Sequence, residues 1–137
     1  MTADREWGGL GIELEVTLTS ERMRASGLAP YVLSKGSADA AMYWSAAQIV
    51  AHHSSNGCNL QPGDLIGTGT LSTDNDGGLG SLLEISSGGK QPIDLSSGET
   101  RSFLEDGDEI ILRAWCEDDG AVRIGFGECV GRVVAGS

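Results

Sequence analysis

Apolar and polar positions alternate near the start of the chain. Ile12, Leu14, Val16 and Leu18 are apolar, and Glu13, Glu15, Thr17 and Thr19 are polar. A period of two is the side-chain spacing of a pleated strand, so residues 12–18 predict a strand with one buried face. Residues 21–29 read as a turn or loop ending at Pro30, residues 31–33 as a brief strand, and residues 34–39 as a loop of small residues. The period changes over residues 42–54, the segment that predicts a helix. There Ala47, Val50 and Ala51 fall at i, i+3 and i+4, and Ser45 with Gln48 fits a capping box. Asn56-Gly57 then supplies residues that tolerate positive φ beyond a helix end.

From Leu60 onward turn residues punctuate the chain. Pro62-Gly63-Asp64, Asp74-Asn75-Asp76-Gly77-Gly78, Ser87-Gly88-Gly89, Ser96-Ser97-Gly98, Asp106-Gly107-Asp108 and Asp119-Gly120 bracket the strands. Those strands are predicted over residues 65–72, 80–86, 92–95, 109–116, 122–126 and 128–134. Turn signals about every 8–12 residues predict a β sandwich, roll or barrel. One helix of about three turns is too little for a βαβ fold. The expectation is a mainly β single domain over residues 1–137, with one short helix and a loose arm over residues 1–9.

Charge narrows the partners. Nine Lys and Arg stand against 20 Asp and Glu, a net charge of −11. Such a chain repels phosphate backbones and anionic bilayers, so neither nucleic acid nor membrane is expected as a partner. Apolar runs such as Ile110-Ile111-Leu112 are far too short to span a bilayer, and no basic start with an apolar run marks a secretory signal. A hydrophobic fraction of 39% sustains a core, and 21 glycines without a G-X-Y period suit turns and bulges. Cys58, Cys116 and Cys129 are odd in number and form no C-x-x-C, which argues against a disulfide scaffold and a zinc ribbon. The expectation is a reducing cytoplasm and three buried thiols.

Glu84 is the carboxylate that the pattern singles out. Read as a strand, residues 80–86 put Leu83 and Ile85 on one face and Leu82, Glu84 and Ser86 on the other. A carboxylate alone among apolar neighbours tends to be desolvated, which raises its pKa and suits it to proton transfer or to orienting a base. The same pattern also fits a solvated outer face. In Gly67-Thr68-Gly69-Thr70 two glycines let a ligand approach the backbone and two hydroxyls can bond an anionic oxygen, though a bulged strand reads the same way. His52-His53 are adjacent and so point about 100° apart on a helix, which fits a helix-terminal pair better than a shared metal ion. Asp74-Asn75-Asp76 lacks the register and closing Glu of a calcium loop, and Gly125-Phe126-Gly127 lacks the third glycine and helix of a nucleotide fingerprint.

Several runs in one register carry a resemblance. They are Met42-Tyr43-Trp44 to Gln48, His52-His53 through Asn56-Gly57-Cys58-Asn59-Leu60, Pro62-Gly63-Asp64-Leu65, Gly67 to Ser72, and Gly80 to Glu84. Lys90 to Leu95, Gly98 to Leu104, Asp106 to Ile110, and Arg123 to Gly127 with Cys129 continue it. From about Ile12 to its end the chain resembles the C-terminal third of the fumarylacetoacetase family. Residues 37–41 depart from the family pattern.

The resemblance implies a mixed β-sandwich-roll fold, a homodimer, and cleavage of the C–C bond of fumarylacetoacetate to fumarate and acetoacetate, at the end of tyrosine and phenylalanine breakdown. It implies a divalent cation, Ca²⁺ or Mg²⁺, on the diketo oxygens, a His as general base on water, and a Glu that orients it. Matching motifs place the orienting Glu at Glu84 and substrate contacts at Gly69 and Thr70. The family's metal carboxylates, base His, and substrate-binding Arg and Tyr are expected upstream of the matching region, so no cofactor site is expected within this chain and little activity from it alone. The competing expectations are a catalytically silent, oligomeric binding module and a binder of a small acidic ligand at Gly69 and Thr70.

Overall fold

The computed structural model describes residues 9–136, so the expected arm lies outside the described residues except for Gly9. The elements in chain order are β1 (Glu13–Thr19), α1 (Glu21–Ala25), β2 (Tyr31–Ser37), α2 (Ala38–Ala41) and α3 (Ala46–Ser55). They continue with α4 (Leu82–Ile85), β3 (Ile93–Asp94), β4 (Thr100–Arg101), β5 (Glu109–Cys116) and β6 (Ile124–Arg132). Strands β2, β1, β5 and β6 form one antiparallel sheet in that order, and β3 and β4 form a two-stranded ribbon. The chain is mainly β with few, short helices.

Three helical segments stand where loops or a strand were expected. Segment α1 forms because the Ser20 hydroxyl accepts from Met23 N at 3.1 Å, an N-cap that drives Met23 into the core. The expected loop of small residues is not found: residues 34–37 pair with β1 and extend β2 to Ser37, and α2 follows at once. Residues 80–86 are not a strand: Ser81 caps α4, whose residues Leu82 and Ile85 share one side and pack on the core. The expected helix over residues 42–54 starts only at Ala46, where Ser45 and Gln48 form the reciprocal capping box. Residues 65–72 form no strand either, because no ladder partner reaches them among the described residues. The two strands expected at the C-terminal end are one, β6, which passes through Gly127 at φ 82°.

The core is small. Leu18, Met23, Leu33 and Leu95 form a buried cluster, with Val16, Tyr31, Leu82, Ile85, Ile93 and Ile110 packed against it. Thr17 and Thr19, expected on a solvated face, are buried together with Leu18 because β1 runs between β2 and β5. The thiols depart from expectation in the opposite direction. Cys58 and Cys129 are exposed and Cys116 is only partly buried, since Cys58 follows the solvated end of α3 and Cys129 lies on a strand exposed along its length. No helix among the described residues is long and apolar enough to cross a membrane.

Polar groups fasten the sheet to the ribbon. Fully buried Asp108 accepts from Arg101 Nε at 2.9 Å, from Arg101 Nη2 at 3.1 Å and from Glu105 N at 2.9 Å. Glu99 accepts from the hydroxyls of Ser20 and Ser97 and from Arg101 Nη2 at 3.2 Å. The Ser20 hydroxyl therefore caps α1 and tethers it to the ribbon at once. Across the sheet the register sets Glu15, Arg113 and Glu128 side by side, and Arg113 donates to Glu15 at 3.3 Å and to Glu128 at 2.7 Å. Trp115 lies under the Arg123 guanidinium, 4.3 Å from the ring centroid, and 5.7 Å from the Lys35 ammonium.

Removing Asp108 takes the two-pronged partner from the buried Arg101 guanidinium and leaves Glu99 and Glu105 to hold it. Asp108→Ala should therefore lower the urea unfolding free energy by about 1.5–3 kcal/mol. A second outcome concerns acid. The Ser20 and Ser97 hydroxyls, with Arg101 behind them, hold the Glu99 carboxyl at about 2 against its ordinary 4.5. The folded value lies below the unfolded one, so this stabilisation is complete above pH 4.5 and fades as the pH falls toward 2. Urea midpoints measured through that window should decline, and Glu99→Gln should flatten the decline.

Candidate functional site

The site is built from two segments that fold back on each other. Thr73 N donates to Gly78 O and Gly78 N to Asn75 O, both at 2.9 Å, closing a turn over residues 73–78. Lys35 N donates to Gly77 O at 2.9 Å and docks that turn on β2. The turn sets the segment ending at Ser72 beside the segment starting at Gly80. Gly80 is required there, because a Cβ would overlap the Leu71 carbonyl oxygen and come within 2.8 Å of Thr70 Cγ2.

Glu84 points away from the core because Leu82 and Ile85 point into it. Its carboxylate accepts from Ser81 Oγ at 2.6 Å and from Ser72 Oγ at 2.9 and 3.0 Å to its two oxygens. Ser72 Oγ accepts in turn from Gly80 N at 3.0 Å, and Ser81 Oγ from Glu84 N at 3.3 Å. The expected desolvated carboxyl is not found. Glu84 is exposed, and the hydroxyls of Ser81 and then Ser72 lower its pKa below 4.5. Two donors favour the charged form and outweigh the little burial there is. A carboxylate kept ionised is a poor proton donor and a good acceptor for an imidazole N–H, which suits it to orienting a base.

Gly69, at φ 78°, lines a cavity of about 490 Å³ together with Thr68, Leu71, Phe126, Gly127 and the Arg113–Glu15 pair. Thr70 adjoins it, with its methyl group toward Gly80. Ser72, two residues on, connects this glycine–threonine segment to Glu84. All three sequence-selected residues thus belong to one folded-back unit.

The histidines do not join them. His52 and His53 end α3, with ring centroids 6.1 Å apart, and line a separate cavity of about 350 Å³ with Met42, Trp44, Gln48 and Ile49. Thr68 and Leu71 form the wall shared by the two cavities. Asp74, Asn75 and Asp76 are an exposed turn, and Gly125 to Gly127 lie within β6. Among the described residues no three His, Cys, Asp or Glu side chains gather as a cation site. Glu84 is engaged by two serines, and Glu15 on the cavity wall is engaged by Arg113. The described residues therefore do not fit a resident divalent cation.

A family model described as fumarylacetoacetate (FAA) hydrolase C-terminal matches residues 4–134. The chain belongs to the fumarylacetoacetase family. It is 54% identical to the fumarylacetoacetase of Homo sapiens over 93 residues, 68% of this chain and 22% of that protein. It is 47% identical to that of Arabidopsis thaliana over 93 residues, with the same shares of both chains. With that of Dictyostelium discoideum it shares 40% identity over 125 residues, 90% of this chain and 28% of that one. The chain thus spans well under a third of the length of these fumarylacetoacetases.

Sequence reasoning missed Ser72 and Ser81, the two partners of Glu84. Ser81-Leu82-Leu83-Glu84 is itself an S-x-x-E capping signature, which signals the helix and one of the contacts. Ser72 had no local signal, since its partners Gly80 and Glu84 arrive only through the turn. Ser72→Ala removes a donor to the charged form and should raise the Glu84 pKa toward 4.5, as read by carboxyl NMR titration. Gly80→Ala should overpack the folded-back segments and destabilise the chain by about 1–3 kcal/mol in urea unfolding.

Proposed function

We propose that this chain supplies one wall of a fumarylacetoacetase-type hydrolytic site. In this reading Glu84 accepts the N–H of a base imidazole contributed by the preceding part of such an enzyme. It fixes the ring's orientation and tautomer and stabilises the imidazolium that forms when water is deprotonated. Gly69, which leaves its main chain open at the cavity, and the Thr70 hydroxyl hold a carboxylate of a small acidic diketo substrate such as fumarylacetoacetate. Hydrolysis adds the elements of water across a C–C bond and releases fumarate and acetoacetate, the closing step of tyrosine and phenylalanine breakdown. The cation expected of the family, Ca²⁺ or Mg²⁺, would be held by that preceding part. A reducing cytoplasm suits the three unpaired thiols.

The observation that supports this most is the Glu84 carboxylate, kept charged by Ser81 and Ser72 beside the Gly69–Thr70 segment, in a chain of this family. The competing reading, a catalytically silent interaction module, draws on the many exposed apolar side chains, including Leu65, Val122 and Phe126.

A chimera separates the two. In human fumarylacetoacetase the region corresponding to residues 4–134 is replaced by these residues, and loss of substrate absorbance is followed. The chimera should turn over, and Glu84→Gln should lower kcat by roughly 10²–10⁴-fold with KM nearly constant. Thr70→Ala should act mainly on KM. Wild-type turnover by the Glu84→Gln chimera would remove Glu84 from the mechanism.

A further inference from the structure

Glu84 is held from two directions that are not equivalent. Ser81 lies three residues away and caps the helix that carries Glu84, so its bond belongs to the local turn. Ser72 lies twelve residues away, and its Oγ stands 2.9 and 3.0 Å from the two carboxylate oxygens. Nearly equal distances put that Oγ close to the plane that bisects the carboxylate. A hydroxyl carries one proton, whose direction is settled by what the acceptor side of the oxygen receives. Gly80 N donates to Ser72 Oγ at 3.0 Å, which leaves the Ser72 proton for Glu84. Amide, hydroxyl and carboxylate thus form a chain in which each hydrogen bond polarises the next.

The two serines also leave the oxygens of Glu84 unequal. Oε2 accepts from Ser81 at 2.6 Å and shares the Ser72 proton. Among the described residues Oε1 has only its share of the Ser72 proton. A carboxylate oxygen has room for two donors, so Oε1 is the one with capacity for an N–H from outside.

The Ser72 end of this chain is anchored. Its neighbour Thr73 begins the turn that Lys35 N docks on β2 through Gly77 O at 2.9 Å, and Gly69 and Thr70 stand just before it. Strand β2 pairs in turn with β1, whose Leu18 is in the core. The direction of Glu84 is therefore referred to the sheet and to the Gly69–Thr70 segment, beyond its own four-residue helix.

We infer that Ser72 is a positioning residue of this site: its hydroxyl fixes the direction in which Glu84 presents Oε1 to the base imidazole, in register with the Gly69–Thr70 segment. This rests on the reading of Glu84 as the acceptor for that imidazole, and it names the group that aims it.

Two measurements test the role of Ser72. In the isolated chain, ¹³C relaxation of the Glu84 methylene carbons should report a restricted side chain, and Ser72→Ala should free it on the ps–ns timescale. In the human chimera described above, Ser72→Ala should lower kcat per folded enzyme by roughly 10–10²-fold with KM nearly constant. Ser72→Thr keeps the hydroxyl and should recover most of that loss. Because Ser72 acts through Glu84, adding Ser72→Ala to Glu84→Gln should cost little further kcat. A serine that only stabilises the fold would lower the urea midpoint and leave kcat per folded enzyme unchanged.

A Glu84 side chain as restricted in Ser72→Ala as in the wild type would overturn the inference. So would losses that multiply in the double variant, or a folded Ser72→Thr chimera no faster than Ser72→Ala. A slow Glu84→Gln chimera beside a normal Ser72→Ala one would keep the reading of Glu84 and remove Ser72 alone. A normal Glu84→Gln chimera would remove both.

Discussion

Leu18, Met23, Leu33 and Leu95 form the contact on which the rest of this chain depends. Here β1, α1 and β2 meet the segment that follows β3, and Leu82 and Ile85 of α4 lean against the same cluster. The position of Glu84 is a consequence of that packing. Leu82 and Ile85, three residues apart, turn inward, so the two residues between them, Leu83 and Glu84, face outward. The cluster is small, and each such side chain stabilises the fold by about 1.5–3 kcal/mol when fully buried. Polar fastenings of comparable strength therefore matter more here than in a domain with a large core, and Arg101–Asp108 and the Ser20 hydroxyl join the ribbon to the sheet.

Serine pairs recur as the partners of carboxylates. Ser20 and Ser97 hold Glu99, and Ser72 and Ser81 hold Glu84. In both cases hydroxyl donors favour the ionised form. At Glu99, close to the Arg101 cluster, the result is structural. At Glu84, which faces outward, the same chemistry leaves a fixed, charged acceptor available to another group. A chain of net charge −11 carries many carboxylates, but this one is clamped from two segments that meet only through the turn over residues 73–78.

The apolar side chains divide between a buried cluster and an exposed edge. The cluster at one end of the sheet is closed, whereas β6 and residues 65–71 leave their apolar side chains and much of their main chain in water.

The sequence by itself determined the local features. The alternation at Ile12 to Leu18 places β1, the run Glu109–Cys116 is β5 with the same bounds, and the Ser45–Gln48 capping box starts α3. These are legible because period and capping act within a few residues. The family was legible in motifs spread along one register, and Glu84, Gly69 and Thr70 stood out in the local pattern before the resemblance gave them roles.

What only tertiary structure decided depends on partners distant in the chain. Residues 80–86 have apolar content that fits strand or helix equally, and the core contacts of Leu82 and Ile85 choose the helix. Residues 65–72 read as a strand but remain unpaired, since a strand exists only where a second one supplies its hydrogen bonds. The ionised state of Glu84 is likewise decided by Ser72, twelve residues away. Local pattern sets which elements a segment can form, whereas the choice among them, and the charge on a side chain, belong to groups that folding alone brings near.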